Sequence, residues 1–162
     1  MHEVRLVEMN MENLVKVCKL SDTLTPEQQK CVAPNVYSVA QAHFAPDHAW
    51  FRAIYMDEEP IGFIMVDVKL DDDEIPQEEK PSVMLWRFMI AKDYQGKGYG
   101  KKALDIVTDK FRKEGNKYFY TSCVLGEVSP YQFYLNYGFV DTGEKDGNEE
   151  ILKLKLYVAP AN

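Results

Sequence analysis

Three glycines at alternate positions run through the segment Gln95-Gly96-Lys97-Gly98-Tyr99-Gly100-Lys101. A backbone without side chains turns tightly and lets an anion come close to its amides. An apolar stretch precedes the segment and an amphipathic one follows it, so the glycines fall between a strand and the N-terminus of a helix. That helix end carries unpaired N–H groups and the positive end of the dipole, and Lys97 and Lys101 add charge. Chemically, this is a cradle for a pyrophosphate. Two common phosphate loops do not fit it. A P-loop needs glycine at position 95 and Ser or Thr at 102, where the chain has Gln95 and Lys102. Gly98-x-Gly100-x-x-Ala103 meets the dinucleotide pattern loosely. No acid lies in 116–126 to hold a ribose, however, and the strands upstream read as antiparallel.

Other reactive side chains are sparse. Arg87 is the one charge in the apolar run 83–90 (VMLWRFMI), which predicts either an ion pair with a buried acid, the favoured reading, or a contact with a bound ligand. His43 and His48 flank Pro46 near a helix end, where surface or capping roles are expected. Cys18, Cys31 and Cys123 are odd in number and far apart, which argues for buried, inert thiols over a disulfide framework. No His, Asp or Glu cluster has ligand spacing, so no metal is expected.

The elements that must position these residues follow from periodicity. A short strand is expected at Val4–Leu6, then a helix capped by Asn10 with Leu14, Val17 and Cys18 inward. Thr25-Pro26-Glu27 starts a helix, and another spans about 36–44. Strands are expected at 49–57 and 61–70, joined by a turn at Glu58-Glu59-Pro60. Six acids between residues 71 and 79, bounded by Pro76 and Pro81, predict a solvated loop. Residues 83–90 read as a central strand covered on both faces. After the glycines, Ala103, Leu104, Val107 and Phe111 recur at helical spacing, and Gly115 ends that helix. A strand at 117–124, a helix at about 130–136, and a hairpin joining 139–143 to 150–158 through Asp146-Gly147 complete the chain. The fold class is α/β (α+β): one domain over residues 1–162, with a mixed, mostly antiparallel sheet covered by helices.

Composition narrows the function. The chain has 162 residues, 46% of them hydrophobic, enough for one core. A net charge of −7 argues against nucleic acid and favours a small cationic partner. Neither a signal-peptide run nor a stretch approaching the length of a membrane span is present in the sequence, so no membrane partner is expected and a cytoplasmic location is.

Gln95-x-x-Gly98-x-Gly100, between a hydrophobic strand and a helix, resembles the acyl-CoA signature of the GNAT superfamily of N-acetyltransferases. About forty residues on, Phe133-Tyr134-Leu135-Asn136-Tyr137-Gly138-Phe139 matches that superfamily's Phe/Leu-Tyr-x-x-x-Gly-Phe segment. Trp86-Arg87-Phe88-Met89-Ile90 and Glu127-x-Ser129-Pro130-x-x-Phe133-Tyr134 are similar to the branch of bacterial spermine/spermidine acetyltransferases. The resemblance implies a GNAT-like acyl-CoA N-acyltransferase fold that uses acetyl-CoA, with a primary amine, in particular a polyamine, as acceptor. It also implies that the strand before the cradle splays from its neighbour, with Phe88, Met89 and Ile90 along the pantetheine arm. Gln95, Gly96, Lys97, Gly98, Tyr99, Gly100 and Lys101 would then lie at the pyrophosphate, and Tyr134 would be the general acid for the leaving thiolate. Where the family has an Asn contacting the cofactor, seven residues before the tyrosine, this chain has Glu127, which places a carboxylate near the site and makes it a candidate grip for a cationic substrate. No carboxylate in 83–90 or 117–124 offers itself as the general base, which leaves Glu127 as a candidate for that role as well, against plain surface exposure. Homodimers are common in the superfamily. The same fold also serves acetylation of protein N-termini or lysines and non-catalytic acetyl-CoA sensing, so the acceptor stays open at this point.

Overall fold

The computed structural model describes residues 1–70, 73 and 75–157. Asp71, Asp72 and Glu74 of the acidic loop, and Val158 at the end of the last expected strand, lie outside the described residues. Seven strands form one sheet: β1 (Val4–Val7), β2 (Ala49–Met56), β3 (Glu59–Asp67), β4 (Ser82–Ile90), β5 (Tyr118–Cys123), β6 (Val140–Asp146) and β7 (Glu149–Lys155). Their order is β1-β2-β3-β4-β5-β7-β6, and only the β4–β5 pair is parallel. That pair needs a crossover, and α4 (Tyr99–Lys113) supplies it.

The sheet is covered on both sides. Helices α1 (Leu14–Lys19), α2 (Pro26–Gln29) and α3 (Asn35–Phe44) belong to the layer around Val17, Ala53, Phe63, Met65 and Met89. On the other face α4 and α5 (Tyr131–Tyr137) pack on Ile64, Val66, Leu85, Phe119 and Leu152. The inward positions of α4, Ala103, Leu104, Val107 and Phe111, are at most 1% exposed. Burial of a large apolar side chain of this kind contributes about 1.5–3 kcal/mol, so this face holds α4 on the sheet.

Two irregularities shape the middle of the sheet. The β3–β4 register shifts from Met65↔Arg87 to Val66↔Leu85, which leaves Trp86 as the extra residue of a bulge in β4. Beyond the bulge β4 stays with β3 as far as Gly62↔Ile90, but its pairing with β5 ends at Leu85↔Thr121. The second half of β4, residues 86–90, therefore diverges from β5, and its free backbone edge faces a gap. A side chain at Gly62 would put a Cβ 2.4 Å from the Met89 carbonyl oxygen, so only glycine lets β3 lie this close to the divergent segment.

Several boundaries depart from the expectations. The Asn10 side chain accepts from the amides of Glu12 and Asn13 and closes a turn, and α1 begins only at Leu14. The β2–β3 turn sits at Asp57-Glu58, one step earlier than expected, with Asp57 at φ 52 and its carboxylate bonded to the Glu3 amide. β3 stops at Asp67, short of residue 70, and β6 runs on to Asp146 because Lys145 and Asp146 pair with Glu150 and Glu149.

Candidate active site

The gap between β4 and β5 opens into two joined clefts. The first, about 520 Å³, lies between the end of β4, the glycine segment and the start of α5, and is mostly apolar. Phe88, Met89 and Ile90 form one wall, Gln95, Gly96, Gly98, Gly100 and Lys101 the floor, and Val128, Pro130 and Phe133 the opposite wall. Phe88 and Ile90 alternate with Met89, whose side chain is 5% exposed and belongs to the core on the other face. Met89 thus offers the cleft chiefly its backbone.

At the N-terminus of α4 no side chain caps the helix and no acid lies in its first turn. Gly98, the N-cap, has φ 84, a left-handed conformation costly for other residues. Nothing lies within 4 Å of a Cβ built there, so dihedral freedom, rather than room, requires this glycine. At Gly100 a Cβ would meet Phe88, Phe133 and Ile90 at 3.5–3.7 Å, ordinary contact with the cleft wall. A Cβ at either glycine thus meets no clash within the protein. A methyl at position 100 would instead occupy space between Phe88 and Phe133.

The side chains around the cradle divide into those that face it and those that build it. Gln95 builds: its Nε2 donates to the Ile90 carbonyl at 2.8 Å, and its Oε1 accepts from Gln28 Nε2 at 2.9 Å. Gln28 in turn closes the capping box of α2 with Thr25, so one amide chain ties α2 to the end of β4. Tyr99 is also structural, since its ring is buried beside Tyr94 and leaves only its N–H toward the loop. Lys101 lines the cleft and is paired with Asp105 at 2.9 Å. Lys97 lies on the exposed turn and donates to the Asp93 carbonyl. The uncapped amides, the positive φ at Gly98 and the apolar slot fit a pyrophosphate followed by a pantetheine arm.

The second cleft, about 560 Å³, meets the first at Cys31, Val32, Phe88 and Pro130. Tyr134 lines it and is 4% exposed. Burial pushes the Tyr134 phenol well up from its ordinary value, partly offset by the Thr121 hydroxyl, so the proton stays on the oxygen across the usable pH range. The cleft is also lined by Asp67, Asp146 and Glu149, from the end of β3 and the β6–β7 turn. Their cationic counterparts on its wall are Lys30 and Arg87.

Arg87 does not make the expected ion pair. Its guanidinium donates to Gln41 Oε1 at 3.0 Å and to the Trp86 carbonyl at 2.9 Å, and its buried Nε has no partner among the described residues. Burial pulls its pKa down, opposed by the nearby Glu149 carboxylate. Glu127 is exposed on the turn after β5 and is not among the residues lining either cleft. Of the three thiols only Cys123 is buried, whereas Cys31 is half-buried at the junction of the clefts. His48 lies 3.1 Å from Asp67, an acid of the second cleft, instead of capping a helix. Sequence reasoning missed Phe133, Leu24 and Val32 in the first cleft and all three acids of the second. A hairpin was visible, though its turn falls at Gly147-Asn148, one residue later than the expected Asp146-Gly147, and nothing local shows that its flanks reach across to β4.

Among the described residues no helix is long and apolar enough to cross a membrane. The fold is shared with PaiA N-acetyltransferase from Thermoplasma acidophilum in complex with coenzyme A: TM-score 0.66, 16% identity, 94% of this chain and 99% of that one. In sequence, the chain is 32% identical over 103 residues to a probable spermine N(1)-acetyltransferase of Bacillus subtilis subsp. natto (strain BEST195). It is 31% identical to the spermine/spermidine N(1)-acetyltransferase of Bacillus subtilis (strain 168). Each match covers 63% of this chain and 66% of the relative, just under two thirds of its length. The profile of the Acetyltransferase (GNAT) family matches residues 14–139, from the start of α1 through the glycine cradle to the end of the α5 motif. The chain belongs to the GNAT acetyltransferase family.

Proposed function

We propose that this protein transfers an acetyl group from acetyl-CoA to a primary amine of a diamine or polyamine. When bound, acetyl-CoA supplies the thioester whose acetyl group moves. The α4 amides would hold the pyrophosphate, and the free edge of Phe88–Ile90 would hold the arm. Tyr134, protonated and inside the second cleft, is suited to give its proton to the sulfur as the C–S bond breaks.

The observation that carries the acceptor class is the second cleft: three carboxylates, Asp67, Asp146 and Glu149, in a passage that opens onto the cofactor cleft. A monoamine brings one charge, whereas a polyamine keeps further ammonium groups to meet the acids remote from the thioester. The Bacillus relatives named for spermine and spermidine support the same reading. Glu127, exposed outside the cleft, can meet a cation only on approach.

The test is kcat/KM for spermidine and for a monoamine of similar length, at low and high salt, with Asp67→Asn and Asp146→Asn beside the wild type. Spermidine should be preferred at least about tenfold, equivalent to 1.4 kcal/mol. The preference should shrink in high salt, where screening sets in beyond about 8 Å, and in both variants. Equal use of the monoamine by the wild type would overturn the polyamine reading.

A further inference from the structure

Deprotonation of the amine is the step that no carboxylate on β4 or β5 can serve, since residues 83–90 and 118–123 contain none. The fold brings an acid from elsewhere. Glu149 is the first residue of β7, and β7 pairs antiparallel with β5 so that Glu150 lies opposite Cys123 at the end of β5. This puts Glu149 where β5 ends beside the gap, half-buried in the second cleft with Tyr134, Cys123 and Arg87. The other two acids differ from it. Asp67 is engaged by His48 at 3.1 Å, and Asp146 also lines a neighbouring groove on the side away from the cofactor. The neighbouring Glu150, by contrast, is paired with Lys145 at 2.8 Å. Glu149 makes no ion pair among the described residues within 4 Å, which leaves its oxygens available to a ligand.

We propose that Glu149 is the proton acceptor of the transfer. This rests on the reading that the second cleft receives the amine. The bound ammonium passes one proton to the Glu149 carboxylate, directly or through one water, and the neutral nitrogen then bonds to the acetyl carbon and releases its second proton to solvent. The C–S bond breaks, and the sulfur takes the proton of Tyr134. Solvent then returns the proton from Glu149 and reprotonates Tyr134, so the cycle closes without another reactant. Charged and titratable groups facing the same space are Asp67 from β3, Arg87 from β4, Cys123 from β5, Tyr134 from α5, Asp146 from β6, and Lys30 and Cys31 from the loop after α2.

The role has a signature that a structural or purely attractive acid lacks. A free alkylamine titrates near the lysine value of about 10.4, so an acceptor matters most near neutral pH and least where the amine arrives uncharged. With a monoamine acceptor, which needs no remote grip, Glu149→Gln should lower kcat about 10²-fold near pH 7. The deficit should shrink steadily toward pH 9.5, while calorimetry shows unchanged coenzyme A affinity. A deficit that is constant with pH, a raised KM with kcat preserved, or no deficit at all would overturn the assignment and leave the acetyltransferase reading standing. If Glu149→Gln no longer binds coenzyme A, Glu149→Asp decides. It keeps the charge but is one methylene shorter, so it should show a smaller deficit of the same pH dependence, and wild-type kcat at every pH would overturn the proposal. A wild type that acetylates no amine would instead remove the underlying function.

Discussion

Tyr134 joins packing to the proposed chemistry in one residue. Its ring is buried against Phe133 and Phe139, and its hydroxyl faces a cleft in which burial keeps it protonated. Phenylalanine keeps the ring and removes the proton. Tyr134→Phe should therefore bind coenzyme A as the wild type does and fold with similar stability, with kcat reduced about 10²–10⁴-fold. Calorimetry and steady-state rates on the same preparation check both halves, and undiminished turnover would reduce Tyr134 to a packing residue. The motif made Tyr134 legible in the sequence, as it did the glycines, because both lie in short contiguous patterns. Glu149 was not legible, and Phe133, although inside the motif, gave no sign of its place in the cleft wall. Their importance arises from neighbours far along the chain, Phe88 and Arg87, which only the closed sheet brings near.

Among the elements, α4 was readable because one face repeats at helical spacing over four turns, while α2 showed itself through Thr25-Pro26 alone. The bulge at Trp86 and the parting of β4 from β5 have no local signature, since both depend on register between strands. The segment leading into β4 is fixed by a contact equally hidden from the sequence. Glu79 lies 2.5 Å from Lys153 on β7 and accepts from the Tyr120 hydroxyl on β5. Burial raises the Glu79 pKa, but the bonds from Lys153 and Tyr120 outweigh it and hold the carboxyl below its usual range. A depressed folded-state pKa gives stability that is present above the unfolded value of about 4.3 and is lost as pH falls through the lower folded value. Glu79→Gln should thus cost about 1.5–3 kcal/mol near pH 7, as expected for hydrogen bonds to a charged group, and progressively less below pH 4. Urea unfolding at several pH values measures the difference. A cost that does not change with pH would contradict the ionised clamp.

At the scale of the whole molecule, the net charge of −7 is not spread as a featureless acidic surface. Three of the acids gather in the second cleft, beside an apolar slot whose floor is the open end of a helix. On the proposed reading, an anionic cofactor and a cationic acceptor would be drawn to opposite sides of one gap, where the two clefts meet at Phe88 and Pro130. Composition had shown the sign of the charge but not its separation, which is a property of the folded sheet. The reaction proposed for this gap joins an acetyl donor to a polyamine nitrogen. Its most direct test is to mix the full chain with acetyl-CoA and spermidine, follow free thiol, and identify the product by mass spectrometry. The account predicts one N-acetylated spermidine for each coenzyme A released, and no release above hydrolysis when spermidine is omitted. Thiol release that is the same with and without spermidine, with no acetylated amine formed, would contradict it.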